Sequence, residues 1–274
     1  MTSAQNASSN DPAPTVAWSD YDAVLFDLDG VITPTAEVHM RAWAEMFNEF
    51  LGAYAAAEPD EGADTSSYTD EDYFAHVDGK PRYDGVRDFL SARGITLPEG
   101  GSDDDSAPTV RGLGDRKNDS FNHVLERDGV TAFPGSIALL DHLRDLGTPL
   151  AVVSSSANAP AVLAAAGLAD RFATVVDGRV AGELGLPGKP APDTFLHAAS
   201  AVGAAPARAV VLEDAVSGVR AGRAGEFGLV VGVDRGAGVA TLTDAGAHIV
   251  VSDLAETLPH EPGDAAGHEP GAES

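Results

Sequence analysis

The sequence predicts an α/β fold, a doubly wound parallel sheet of Rossmann-like kind with a helical cap domain inserted after its first strand. Three observations carry this. Short β-branched runs recur along the chain, the type of segment that fills parallel strands buried on both faces. Ala- and Leu-rich stretches with helical spacing separate them, and such alternation is the mark of a doubly wound sheet. The alternation fails once, between the first run and about Phe133, where the readable pattern is helical throughout.

In order, the strand candidates are Asp22–Phe26, Pro149–Val153, Ala209–Leu212, Leu229–Val233 and His248–Val251. Helix candidates are Ile137–Leu146, with Leu139, Leu140, Leu143 and Leu146 on one face, then Ala161–Ala166, Thr194–Val202 and Val216–Ala224. In the irregular interval Met40, Trp43, Phe47 and Phe50 or Leu51 fall at helical spacing, while Ala57–Thr69 and Pro98–Thr109 are acidic and rich in Gly, Ser and Pro, as surface loops are. The expected organisation is a core domain over 20–36 and 131–255 with a cap over 37–130. Residues 1–19 and 256–274 have the composition of disordered tails. His260 and His268 lie in the second tail, where a Gly/Pro-rich setting gives no fixed metal geometry. An insertion after strand one overhangs the carboxyl ends of the strands, where open α/β sheets bind ligands. It is placed to act as a lid.

Composition narrows the chemistry. The 274 residues hold 43 acidic and 17 basic side chains, a formal charge of −26 that repels nucleic acid and anionic membranes. No apolar run approaches the ~20 residues of a membrane span, and the first residues lack a basic start and an apolar stretch, so a cytoplasmic protein is expected. The absence of cysteine excludes disulfides, thiolate metal sites and thiol nucleophiles. Only Lys80, Lys117 and Lys189 stand against 14 arginines, so each lysine invites a specific explanation.

Four polar clusters follow apolar runs. Asp27-Leu28-Asp29-Gly30 comes first, and carboxylates two residues apart on an extended segment point the same way. One can attack while the other moves protons. Ser154, Ser155 and Ser156 follow the second strand and precede a helix, where hydroxyls and free N–H groups make an anion site. Lys189 lies in Gly188-Lys189-Pro190 ahead of a helix, and Glu213-Asp214 ends a strand with two carboxylates suited to a hard divalent cation. Taken singly, each cluster also reads as an ordinary strand end or helix start.

The ordered set resembles the haloacid dehalogenase superfamily over about residues 21–254. FDLDGVIT with its following TAE-x-H-x-RAW, Arg116-Lys117-Asn118-Asp119 and GKPAPDTF narrow the resemblance to its β-phosphoglucomutase-like members. That resemblance implies Asp27 as the nucleophile that becomes an aspartyl phosphate and Asp29 as general acid and base. It implies Mg²⁺ on Asp27, the backbone carbonyl of Asp29 and Asp214, with Glu213 assisting. Ser154 and Lys189 would clamp the transferring phosphoryl group, with Ser155, Ser156 and Asn158 beside it. Arg82 would bind a second phosphate at the far end of a sugar, His39 and Lys117 would poise Asp29, and Thr35 would mark the hinge. Two positions depart from the pattern. Pro34 replaces an acidic residue before Thr35, and Ala157 replaces a lysine after the serines.

The activity so implied interconverts β-glucose 1-phosphate and glucose 6-phosphate through a 1,6-bisphosphate. The alternative is a Mg²⁺-dependent sugar-phosphate phosphatase of the same superfamily, which needs every core motif and only a looser lid. A phosphorylated signalling switch shares the ingredients, but there the acidic pair comes first and no acid sits two residues after the nucleophile. A monomer acting on a small sugar phosphate is expected, with neither nucleic acid nor membrane as a partner.

Overall fold

The computed structural model of the chain describes residues 15–57, 62–101 and 108–259. Six strands, β1 (Ala23–Phe26), β2 (Leu150–Val153), β3 (Thr174–Val176), β4 (Ala209–Glu213), β5 (Leu229–Val233) and β6 (Ile249–Val251), form one sheet in the order β3-β2-β1-β4-β5-β6. Every pairing is parallel. The helices in chain order are α1 (Thr35–Ala56), α2 (Asp70–Asp72), α3 (Arg82–Ala92), α4 (Val110–Asp128), α5 (Pro134–Leu146), α6 (Ala159–Ala165), α7 (Gly178–Leu184), α8 (Asp193–Ala201), α9 (Val216–Ala224) and α10 (Val239–Ala245). A π-helical turn, Tyr73–Val77, continues α2.

Pleating divides the central strand between two cores. Val24 and Phe26 join Leu139, Leu140 and Leu143 of α5 on one face, whereas Ala23 and Leu25 join Phe195 of α8 and Val219 of α9 on the other. Each of these leucines is fully buried, which contributes about 1.5–3 kcal/mol apiece. Phe26 lies level with both Val152 and Leu212, so the residues that leave β1, β2 and β4 emerge at one edge. The register alone gathers three of the four polar clusters.

The interval after β1 has a core of its own, built from Trp43, Phe47 and Phe50 of α1 with Phe89 of α3 and Leu113 of α4. Phe47 and Phe89 rings stand 4.1 Å apart. The described parts of Ala57–Thr69 and Pro98–Thr109 contain no helix or strand, and 58–61 and 102–107 lie outside the described residues.

The structure corrects the tail boundaries. Trp18, assigned by composition to a disordered tail, is 2% exposed and donates its indole N–H to the Thr257 carbonyl at 3.1 Å. Val16 also packs in the main core, and a short 3-10 turn, Leu254–Thr257, closes over it. A Ser/Ala/Asn/Pro-rich setting hid one large apolar side chain whose burial outweighs the polarity of its neighbours. The rest of the two tails, with His260 and His268, lies outside the described residues. Three elements had no expectation. β3 has three residues, α7 buries none, and α10 buries only Leu242 and Ala245, so none shows a readable period. Among the described residues no helix is long and apolar enough to cross a membrane.

Candidate active site

The chain leaving β1 turns sharply at Gly30, whose φ is +82°. A Cβ there would stand 1.8 Å from Asp214 Oδ2, so only glycine lets this turn lie against the end of β4. Beneath it Lys189 reaches in from the loop before α8. Its ammonium donates to Asp27 Oδ1 at 2.5 Å, Glu213 Oε1 at 2.5 Å and the Val153 carbonyl at 3.1 Å. Burial opposes that charge, but Asp27 and Glu213 overcome it and push the ammonium's pKa up.

Carboxylates outnumber cations here. Burial first, then Glu213 and Asp29, push Asp27 well above the usual carboxylate range against the pull of Lys189. Asp214 is raised by burial, Asp78 and Glu213. Both oxygens of Glu213 accept a hydrogen bond from the protein. Lys189 holds one, and the Ala215 N–H holds the other at 2.9 Å. Gly218 makes room for this carboxylate, since a Cβ there would sit 1.7 Å from Glu213 Oε1.

Asp29 faces the helical domain. The Thr35 hydroxyl donates to Asp29 Oδ1, and His39 Nε2 lies 3.4 Å from the same oxygen. Behind it Lys117 donates to His39 Nδ1, and the His39 ring stacks on Phe121 at 4.0 Å and 7°. Lys117 also stands 5.1 Å from the Trp43 ring centre, within cation–π reach. Burial alone would raise Asp29. His39, Thr35 and Lys117 reverse that and hold it down to about 2, an ionised base. Burial pushes Lys117 down to about 7 and also lowers His39, which Lys117 lowers further.

Between these two sides lies a cleft of ≈ 170 Å³, lined by Asp27, Asp29 and Asp214 from the sheet side and by Lys80, Arg82 and Asn118 from the helical insertion. Ser155 and Ser156 line it too, while Ser154 lies behind them and accepts the Ser156 N–H at 3.0 Å. Asn158 does not line it. Its amide instead donates to Asn118 Oδ1 at 2.8 Å, tying the sheet to α4. Ser155 and Ser217 complete the tie by donating to the carbonyls of Gly79 and Asp78 at 2.7 and 3.0 Å. Arg82 borders the cleft while its guanidinium lies 3.3 Å from Asp115. All three lysines stand at the site, which explains their survival in an arginine-dominated chain.

Asp78 and Tyr73 also line the cleft and were not singled out from the sequence. Burial, with Glu213, pushes Asp78 up to about 7. The signal was Gly79, at φ +67° with Ser217 Oγ 2.3 Å from the Cβ it lacks. That marks a close backbone approach beside Asp78, legible only once the partner is known.

The donor set was tested for Mg²⁺. Among the described residues no three acidic or histidine side chains converge as a complete metal cage. Asp27 and Asp214 with the Asp29 carbonyl still suit Mg²⁺, which takes one or two carboxylates and keeps waters or phosphate oxygens. Asp27 and Asp214, both raised by burial and by neighbouring carboxylates, carry the electrostatic signature that a divalent cation relieves.

Comparison with known proteins fixes the class. A family model of haloacid dehalogenase-like hydrolases matches residues 21–225, and the chain belongs to that family. Within the family the sequence is β-phosphoglucomutase-like. It is 49% identical over 241 residues to a beta-phosphoglucomutase of Mycobacterium bovis, covering 86% of this chain and 91% of that one. It is 32% identical over 200 residues to hexitol phosphatase A of Escherichia coli, covering 73% and 77%. The fold is similar to the crystal structure of beta-phosphoglucomutase from Clostridium difficile, with a TM-score of 0.67 and 23% identity over 86% of this chain and 92% of that one. The protein is an enzyme with phosphomutase or phosphatase activity.

Proposed function

We propose that the protein is a β-phosphoglucomutase, interconverting β-glucose 1-phosphate and glucose 6-phosphate. The observation that carries this reading is one cleft lined both by paired carboxylates of the sheet and by cations of the cap. A mutase must hold a bisphosphate by both ends, and Arg82, a planar fork beside the cleft, suits the phosphate that is not reacting. Residues 37–130 act as its cap domain, and the enzyme works as a cytoplasmic monomer.

In the first half-reaction the C6 hydroxyl of β-glucose 1-phosphate attacks phosphorus on phosphorylated Asp27. The O–P bond to Asp27 breaks, and Asp29, held ionised, takes the hydroxyl proton. After the bisphosphate reverses, Asp27 attacks the C1 phosphate. The bond between phosphorus and the C1 oxygen breaks, and Asp29 returns its proton to that oxygen. Lys189 holds Asp27 Oδ1, which orients the carboxyl, and Ser154 to Ser156 offer hydroxyl and N–H groups around the transferring oxygens. His39 and Lys117 hold Asp29 ionised until it takes the hydroxyl proton. Mg²⁺, held by Asp27, Asp214 and the Asp29 carbonyl, would neutralise phosphoryl charge that the carboxylates otherwise repel.

Ala157 favours a second reading, a sugar-phosphate phosphatase. It lines the cleft at the position where the family resemblance implies a lysine, so one distal cation is missing. The deciding experiment supplies β-glucose 1-phosphate, a trace of 1,6-bisphosphate and Mg²⁺, and follows glucose 6-phosphate and free phosphate together. Glucose 6-phosphate in large excess supports the mutase, and stoichiometric phosphate supports the phosphatase. An arm with excess chelator is expected to be inactive.

A further inference from the structure

The loop after β5 carries Arg235, a residue outside all the motifs above. Its Nε donates to the Gly30 carbonyl at 2.8 Å, and its Nη1 donates to the Ser252 carbonyl at 2.9 Å. The guanidinium carbon lies 3.9 Å over the centre of the Phe133 ring. Three separate pieces of chain thus meet on one side chain: the turn that follows Asp29, the end of β6, and the residue where the chain re-enters the sheet domain from the cap. Phe133 is itself tied to the catalytic turn, since its N–H donates to the Ile32 carbonyl at 2.9 Å.

The Gly30 carbonyl is a sensitive point to hold. Asp29 precedes it directly, and the turn is already confined because Gly30 N–H donates to Thr33 O at 2.8 Å and Asp214 fills the space beside it. The guanidinium is a rigid planar fork, so fixing one prong on Ser252 and its face on Phe133 fixes the other prong in space. A residue kept for packing alone would not leave a buried donor unmet, yet Arg235 Nη2 is buried without a hydrogen-bond partner.

We propose that Arg235 is a positioning residue for the acid/base carboxylate: it clamps the Gly30 carbonyl so that Asp29 is held at proton-transfer distance, and it links that placement through Phe133 to the segment by which the chain returns from the cap. The claim rests on the role given to Asp29 above. Asp27 leaves the strand before the turn and is held separately by Lys189, so loosening the turn disturbs proton transfer more than nucleophilic attack.

Leaving groups separate the two steps. Transfer from acetyl phosphate to Asp27 breaks a P–O bond to acetate, which departs as the anion and needs no proton, whereas transfer from a sugar phosphate needs a proton on the departing alkoxide. In Arg235→Ala, the first turnover of acetyl phosphate, read as acetate release, should stay within about twofold of wild type. Sugar-phosphate kcat should fall by about 10- to 100-fold with KM little changed, as displacement of a catalytic group by about 1 Å implies. Arg235→Lys keeps the charge but loses the fork, and should show the same selective loss to a lesser degree. It also serves if the alanine variant folds poorly by circular dichroism. Equal loss of both activities, or no loss of either, would overturn the assignment. Asp29→Asn run alongside distinguishes the failures. If it shows the selective loss and both Arg235 variants do not, the Arg235 assignment alone falls. If Asp29→Asn spares sugar-phosphate turnover, the acid/base reading falls and takes this inference with it.

Discussion

The sheet end and the cap end of the cleft solve opposite electrostatic problems. At the sheet end Asp27, Glu213 and Asp214 crowd around one ammonium, and burial with mutual repulsion drives Asp27 and Asp214 up. At the cap end His39, Thr35 and Lys117 surround one carboxylate, Asp29, which they hold down to about 2 against its burial, while burial lowers Lys117 to about 7. The sheet end is rigid, because strand register and backbone hydrogen bonds set each position. The cap end is assembled across two linkers by side chains. Surplus anion on the sheet side and cationic groups on the cap side make an anionic substrate, with a divalent cation, the complement of both.

The largest expected effect tests the sheet end. Asp27→Asn should fold normally and lose turnover by about 10⁴-fold or more, since an amide is neither a nucleophile nor a good metal ligand. Steady-state assay with circular dichroism checks both halves, and turnover near wild type would remove the covalent mechanism.

Lys189→Met and Arg82→Ala set the two ends against each other. The first strips the counter-charge that touches both Asp27 and Glu213, and should cost about 3–5 kcal/mol of stability, because breaking a buried ion pair leaves uncompensated charge. The second removes a partly exposed side chain and should change stability by less than about 1 kcal/mol. It should lower sugar-phosphate interconversion by about 10²-fold while sparing acetyl phosphate, as loss of a charge-assisted contact worth ~2–4 kcal/mol implies. Thermal melts and paired assays give both quantities. Equal destabilisation by the two would erase the contrast between a fixed and an adjustable end.

A pH series sharpens the cap end. Burial lowers the folded pKa of Lys117 from 10.5 to about 7, so between those values the unfolded chain binds the extra proton. Its contribution to stability is therefore least favourable below pH 7 and rises with pH across that window. The melting temperature of wild type should gain on that of Lys117→Met as pH increases from about 6 to 9. Parallel curves would mean that Lys117 stays charged.

The smallest effect is at the seam between the ends. Ser155→Ala removes one hydrogen bond to the Gly79 carbonyl, worth about 1 kcal/mol, and should raise KM about fivefold through looser closure with little change in Tm. An unchanged KM would show that the remaining ties from Asn158 and Ser217 suffice.

The sequence determined the sheet and the identity of its chemistry. β-Branched runs located β1, β2, β4, β5 and β6, because a strand buried on both faces must be apolar along its whole length. The acids, serines and lysine after them were legible because function sits where such runs end. Tertiary structure decided the rest. It paired Glu213 with Lys189, put Trp18 in the core, and tied Asn158 to Asn118 of α4. It also brought Asp78 and Arg235 to the site from segments with no motif. Their roles depend on which distant backbone lies opposite, and a one-dimensional pattern carries periodicity and residue type but not the partner across a fold.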